Sequence, residues 1–183
     1  MVPTTTMEDK IYIISGTNRE EAVSLAVSHI YKNEFKLLGM EAEIIDLRDL
    51  PDNYLAAALY ENAGTHKGMV DMRQKMKEGQ KFLFVVPEYN GSFPGVLKAF
   101  IDGLKFPETF TNKKCALVGV SSGVQGGALA LSHLTDILNY CGTHVLARKV
   151  RLAEIGKNMK EGLITNKLYN QLINWQINEF LEF

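Results

Sequence analysis

The sequence predicts an α/β fold: a three-layer sandwich in which a five-stranded parallel sheet, wound in the order 2-1-3-4-5, carries helices on both faces. Two observations lead there. Short apolar, strand-like runs alternate with longer amphipathic stretches, a βαβα rhythm that no low-complexity linker or internal repeat interrupts. Three of the runs, Ile11 to Ile14, Phe82 to Val86 and Cys115 to Val120, are almost unbroken in apolar character. Strands of a parallel sheet are covered on both faces and read this way, so these three belong at the centre.

The other strands follow from charge. Glu41 to Leu47 and His144 to Val150 mix charged with apolar residues, which suits a sheet edge where one side meets water. Sequence order then places strands one, three and four inside and strands two and five outside, the flavodoxin-like winding. Between them, Val23, Ala26, Val27, Ile30 and Leu37 or Leu38 recur at helical spacing, and Gly39 stands where a left-handed C-terminal cap falls. Met69, Met72 and Met76 form a weaker second stripe, read as core packing. Val96, Leu97, Phe100, Ile101 and Leu104 form a third, with Pro94-Gly95 near its first turn. Leu129, Leu134, Ile137 and Leu138 belong to a fourth helix. Leu168, Leu172, Ile173, Trp175, Ile177 and Phe180 belong to a fifth, with Trp175 expected in the core or at an interface.

Composition narrows the function. A chain of 183 residues with 46% apolar content can build one domain with its own core, taken here as residues 1–183. With 20 basic and 21 acidic residues the net charge is −1, so no broad positive field exists to hold a nucleic acid. The stretch Met1 to Asp9 lacks the basic and apolar regions of a secretory signal, and no apolar run reaches the roughly 20 residues of a membrane span. A cytoplasmic protein with no membrane insertion is expected. Cys115 and Cys141 show neither Cys-x-x-Cys nor metal spacing and read as small core residues. No metal site is expected.

In open doubly wound sheets, ligands sit beyond the carboxyl ends of the strands where strand order reverses. Here that point lies between strands one and three. Polar, glycine-bearing turns follow strands one, three and four: Ser15-Gly16-Thr17-Asn18-Arg19, then Pro87-Glu88-Tyr89-Asn90-Gly91-Ser92-Phe93-Pro94-Gly95, then Ser121-Ser122-Gly123-Val124-Gln125-Gly126-Gly127. The first leads into a helix whose leading N–H groups lack internal partners and favour an anion. Thr17 and Ser24 add hydroxyls, Asn18 an amide and Arg19 a planar fork for phosphate oxygens. The plainer alternative is that Thr17 or Asn18 only caps the helix and Arg19 is solvated. The turn is neither a Gly-x-Gly-x-x-Gly dinucleotide loop nor a P-loop. The second turn offers a flat aromatic wall and a stiff backbone suited to a planar heterocycle, or else a proline-braced connection with Asn90-Gly91 permitting positive φ. The third is a further cradle or a plain strand-to-helix corner.

At these residues the chain resembles the NADPH-dependent FMN reductase family, the flavodoxin-like quinone, azo and chromate reductases. Gly16-Thr17-Asn18-Arg19 is similar to that family's Gly-Ser-x-Arg phosphate loop. Pro87 to Lys98 matches its Pro-Glu-Tyr-Asn-x-Ser-x-Pro-Gly-x-Leu-Lys signature, and Ser121 to Gly127 its Ser-x-Gly-x-x-Gly-Gly. The resemblance spans roughly residues 10–150. It implies FMN as cofactor, with Gly16, Thr17, Asn18, Arg19 and Ser24 at the phosphate, and Pro87, Glu88, Tyr89, Asn90, Gly91, Ser121, Ser122, Gly123 and Gly126 flanking the ring. The chain departs from the family at Ala22, Ala99 and Gly103, where the family has Ser, Asn and a bulky residue.

The resemblance further implies an enzyme that takes hydride from NADPH or NADH and passes electrons to a small acceptor. The cofactor supplies the hard chemistry, so no catalytic side chain is expected. Backbone N–H groups of the ring-flanking loops are expected to stabilise charge on the reduced ring. Tyr89 either walls the substrate pocket, supplies a proton to a quinone, or simply packs. A flavodoxin-type electron carrier and a non-catalytic flavin-binding protein are the alternatives. Subunits are expected to pair, as a homodimer or homotetramer, with Leu55 to Tyr60 either at that contact or forming an amphipathic helix over its own sheet.

Overall fold

The computed structural model describes residues 10–183; Met1 to Asp9, read above for a leader, lies outside them. Its main sheet has the strand order β2-β1-β3-β4-β5, formed by β1 (Ile11–Ser15), β2 (Ala42–Asp46), β3 (Lys81–Pro87), β4 (Lys114–Val120) and β5 (His144–Val145). All the pairings are parallel, and the registers Ile13↔Ile44 and Ile13↔Leu83 set β1 at the switch of strand order. The flavodoxin-like winding holds. Every residue of β1 is buried, as are Phe82 to Val86 of β3 and Cys115 to Val120 of β4.

One face of the sheet is covered by α1 (Val23–Leu37) and α7 (Lys167–Glu182), whose Val27, Tyr31, Phe35, Ile173, Ile177 and Phe180 pack on Ile11, Ile13, Leu83 and Val85. The other carries α3 (Val70–Glu78), α4 (Gly95–Asp102) and α5 (Ala128–Tyr140), which bury Met72, Met76, Leu97, Phe100, Leu131 and Leu134 against Tyr12, Ile14, Phe82 and Phe84. The helical stripes are narrower than the sequence suggests. Leu37, Leu38, Leu129 and Leu168 are exposed, because each lies at a helix end or on the outer flank of its stripe. Trp175 is half exposed, not core: its ring lies beneath the Arg148 guanidinium, 5.6 Å from the centroid. Gly39 does take the left-handed conformation that ends α1, with φ +76°.

The predicted fifth strand is broken. His144–Val145 pairs with Lys114–Cys115, and a separate β6 (Val150–Leu152) pairs with Val118–Val120. Residues 146–149 therefore bridge the span that Ala116 and Leu117 cover on β4, leaving the edge with two residues too many. A bulge of this kind is tolerated where one side of the strand is free. After β2, the chain forms a short helix α2 (Tyr54–Ala57) and isolated turns in place of a longer amphipathic helix. Only Tyr54 and Ala58 of that stretch are buried, while Leu55 and Tyr60 face solvent. Beyond β6, α6 (Ile155–Asn158) and a small hairpin of β7 (Met159–Lys160) and β8 (Leu163–Ile164) lead into α7. Among the described residues no helix is long and apolar enough to cross a membrane. Both thiols are buried; burial pushes Cys115 up to about 12 and raises Cys141 as well, so neither supplies a thiolate.

Candidate active site

The three glycine-bearing turns meet. A cavity of about 180 Å³ opens at the carboxyl ends of β1, β3 and β4, lined by Thr17, Arg19 and Ser24 from the first turn, Pro87, Glu88 and Tyr89 from the second, and Ser121 and Ser122 from the third. The first two are tied directly: Thr17 Oγ1 and Tyr89 Oη lie 3.2 Å apart, and Arg19 N–H donates to Thr17 Oγ1 at 3.3 Å. The second and third are tied by main chain, Glu88 N–H donating to Val120 O at 3.0 Å.

Each turn has a local cause. Gly16 donates to Val85 O at 2.9 Å, and a Cβ there would meet that same oxygen at 2.9 Å, so only glycine lets the first loop lie this close to β3. In the second turn Tyr89 and Ser92 exchange main-chain hydrogen bonds of 2.8 and 3.1 Å across Asn90 (φ 52°) and Gly91 (φ 76°). Two consecutive positive φ values are what the Asn-Gly pair accepts most readily. Ser92 Oγ also bonds His133 Nδ1 of α5 at 2.9 Å, which fixes the turn from its far side. In the third, the Ser121 hydroxyl accepts from Gly126 N–H at 3.0 Å and donates to Gly123 O at 2.8 Å.

Not every expected residue reaches the cavity. Asn18 opens onto a neighbouring cleft with Arg48 and Asn53. Asn90, Gly91, Gly123 and Gly126 shape the loops without lining this cavity. Helix α1 begins later than a Thr17 or Asn18 cap requires: its N-cap is Ala22, extended and without a side-chain cap bond. Val23, Glu21 and Ile155 also line the cavity. Ile155 carried no signal, because it arrives through the β6 pairing that the unbroken fifth strand concealed. Glu21, at φ 51°, bends the loop just before the helix.

The site's polar groups are incompletely used by the protein. Ser24 is 1% exposed and its hydroxyl has no hydrogen-bond partner among the described residues; the Ser15 hydroxyl and one carboxylate oxygen of Glu88 are likewise buried and unpaired among them. Buried polar groups are normally hydrogen-bonded, so such a group at a helix N-terminus points to a polar ligand. Several loop N–H groups expected to serve the ring are already committed: Gly16 to Val85 O, Thr17 to Ser15 O, Glu88 to Val120 O, Tyr89 to Ser92 O and Ser121 to Leu152 O. Those of Asn90, Gly91, Ser122 and Gly123 donate to no acceptor among the described residues.

A parallel sheet with this winding and an anion-type cradle at its switch point defines a flavodoxin-like architecture. The family model for NADPH-dependent FMN reductase matches residues 10–157, and the chain belongs to that family. It is 36% identical over 112 residues to an NAD(P)H:quinone oxidoreductase of Solanum tuberosum, covering 60% of this chain and 56% of the potato protein. It is 30% identical over 144 residues to an NAD(P)H-dependent FMN reductase of Pseudomonas aeruginosa, covering 76% of each. The fold is similar to that of FerB, a flavoenzyme NAD(P)H:(acceptor) oxidoreductase of Paracoccus denitrificans: TM-score 0.78 at 19% identity, covering 95% of this chain and 96% of that one. The chain spans 60% and 56% of the length of two of the curated relatives it matches.

Proposed function

We propose that the protein is an FMN-dependent NAD(P)H oxidoreductase that passes electrons to a small acceptor. The carrying observation is the unpartnered, buried Ser24 hydroxyl in a cavity that three loops build together. The residues fit the cofactor. Ser24 and Thr17 would donate hydroxyls to the phosphate, Arg19 a guanidinium, and the first N–H groups of α1 their unsatisfied donors. A space of about 180 Å³ suits a phosphate and a short polar chain, which leaves the planar ring at the rim. The N–H groups of Asn90, Gly91, Ser122 and Gly123, which donate to no acceptor among the described residues, would be available to it.

Bound FMN would supply hydride acceptance from the nicotinamide and electron delivery to the acceptor. The protein's part is to hold and orient. The Thr17–Tyr89 contact ties the phosphate loop to the ring loop, and the loop N–H groups would stabilise negative charge on the ring of a bound flavin. No acid, base and nucleophile set is required of the side chains. The same reading takes residues 1–183 as one cytoplasmic domain acting on small molecules and pairing with a second copy. Exposed Leu55 and Tyr60 support that pairing.

Anaerobic stopped-flow reduction of the FMN-loaded protein by NADPH and by NADH, followed by a panel of acceptors, tests the proposal. Rapid bleaching of the flavin and reoxidation by a small acceptor are expected. Protein that stays colourless after reconstitution with FMN sinks the reading, and tight FMN binding without reduction by either nicotinamide turns it into a carrier or a non-catalytic flavin binder.

A further inference from the structure

The tip of the second loop is held by a residue that lies outside the cavity. Its Asn90 and Gly91 N–H groups donate to no acceptor among the described residues, and neither do those of Ser122 and Gly123 in the third loop. Both pairs would serve one ring, so their relative position matters as much as their number. At the base of the loops that position is set by Glu88 N–H donating to Val120 O at 3.0 Å. At the tip, among the described residues, no main-chain hydrogen bond joins the two.

A side chain does so instead. Ser92 closes the turn with Tyr89, and its hydroxyl lies 2.9 Å from Nδ1 of His133, 41 residues on, in the second turn of α5. Helix α5 continues the third loop directly, since its N-cap Gly127, at φ 78°, is the last glycine of that loop. A bond to α5 is therefore a bond to the frame that carries Ser122 and Gly123.

The turn also rests on the same helix surface: a Cβ on Gly91 would lie 3.8 Å from a methyl of Leu129, one helical turn before His133. That apolar contact alone leaves the tip able to slide, whereas a hydrogen bond fixes direction as well as distance. Imidazole suits the task. Its Nδ1 sits directly on Cγ, with two rotatable bonds between it and the main chain, so the brace is shorter and stiffer than a lysine or glutamine at this position would give.

We propose that His133 is a positioning residue: through Ser92 it holds the Asn90 and Gly91 N–H groups at a set distance from those of Ser122 and Gly123, so that both pairs meet the flavin ring together. The proposal rests on the FMN-dependent reductase reading. His133 does not line the cavity and acts only through the turn. Donors fixed in place before the ring gains charge favour its reduced state over its oxidised one. The brace therefore acts on the flavin's potential as well as on its affinity.

The test compares the parent protein with His133→Phe, which keeps an aromatic ring but loses the hydrogen bond, His133→Asn, whose amide reaches the position of Nδ1, Ser92→Ala, and the double variant of Ser92→Ala with His133→Phe. His133 is exposed, so all are expected to fold. His133→Phe and Ser92→Ala should each weaken FMN binding by about three- to tenfold, the net worth of one hydrogen bond. The double variant should lose no more than either single one, and His133→Asn should recover most of the loss. The midpoint potential of bound FMN should fall in His133→Phe and return in His133→Asn. In FMN-free protein, NMR relaxation should show the Asn90 and Gly91 amides gaining fast motion in His133→Phe and in Ser92→Ala. Parental FMN affinity and potential in His133→Phe, losses that add in the double variant, or a His133→Asn protein as weak as His133→Phe overturns the assignment. The relaxation measurement needs no FMN: a parent protein that binds none refutes the flavin reading, whereas tip amides that stay rigid in His133→Phe refute the brace.

Discussion

The Tyr54 hydroxyl fills the place where Gly103 would carry a side chain. A Cβ built on Gly103 falls on that hydroxyl and 2.8 Å from the ring carbon bearing it. Tyr54 is 4% exposed, and its hydroxyl donates to Ala99 O at 2.9 Å and approaches Phe100 O at 3.3 Å at the end of α4. Burial raises its pKa far above the ordinary tyrosine range, so it stays a donor at every working pH. Two departures from the family pattern, Ala99 and Gly103, thus lie at one joint, where α2 plugs into the last turn of α4. Gly103→Ala should eject the ring and cost about 2–4 kcal/mol by the penalties for overpacking and for a lost buried bond. Tyr54→Phe keeps the ring and should cost about 1 kcal/mol. Urea unfolding of both variants measures this; a Gly103→Ala protein as stable as the parent would show that the joint is loose.

Ser24 gives a prediction with opposite signs in two assays. Its hydroxyl is buried with no partner among the described residues, so Ser24→Ala removes an uncompensated polar group and should leave the FMN-free protein as stable or more stable by about 0.5–1 kcal/mol. The same change removes a phosphate donor and should weaken FMN binding by about tenfold. Thermal unfolding without FMN and fluorescence titration with FMN report the two halves. A variant that loses stability yet keeps its FMN affinity would make Ser24 a structural residue only.

The Asn90-Gly91 turn separates backbone strain from packing. A Cβ on Gly91 meets only a Leu129 methyl at 3.8 Å, so Gly91→Ala has room, but φ is +76°. The cost should be the conformational one, about 1 kcal/mol, and should fall on the turn that Tyr89 and Ser92 close. FMN affinity should drop several-fold while the fold survives, read by titration alongside circular dichroism.

The sheet and its three loops were legible because each rests on a local rule. Unbroken apolar runs mark doubly covered strands, and Gly16, Gly91 and Gly126 stand where close approach or positive φ demands them. What escaped depends on contacts far apart in sequence. The bulge at residues 146–149 exists only relative to β4. Ile155 joins the site only through β6, and Leu55 to Tyr60 forms only the end of the short helix α2, with Tyr60 at φ 57° turning the chain away from helix. Asn18 looked equivalent to Thr17 in sequence, but a single hydroxyl contact to Tyr89 turns Thr17 inward and leaves Asn18 on the neighbouring cleft. No periodicity records such a choice.

Glu43 sets an acid limit to stability. Partial burial opposes its ionisation, but hydrogen bonds from Lys10 (2.8 Å) and Lys75 (2.6 Å) outweigh that and hold its carboxyl below the ordinary value of 4.5. A carboxylate depressed in the folded state contributes stability that is complete above the unfolded value and is lost as pH falls through the folded one. The two lysines are raised above 10.5, so their share is complete below that value and disappears only as pH climbs through the folded values. Between these limits the cluster joining β2 to α3 should contribute a flat plateau, with an acid shoulder starting near pH 4.5. Glu43→Gln should lower stability at pH 7 by a modest amount, since the side chain is one-third exposed and solvent screens the pair. It should also flatten the dependence of the urea midpoint on pH between about 5 and 3. Parallel curves for the parent and Glu43→Gln over that range would mean that other carboxylates govern acid unfolding and that the lysine pair leaves Glu43 unperturbed.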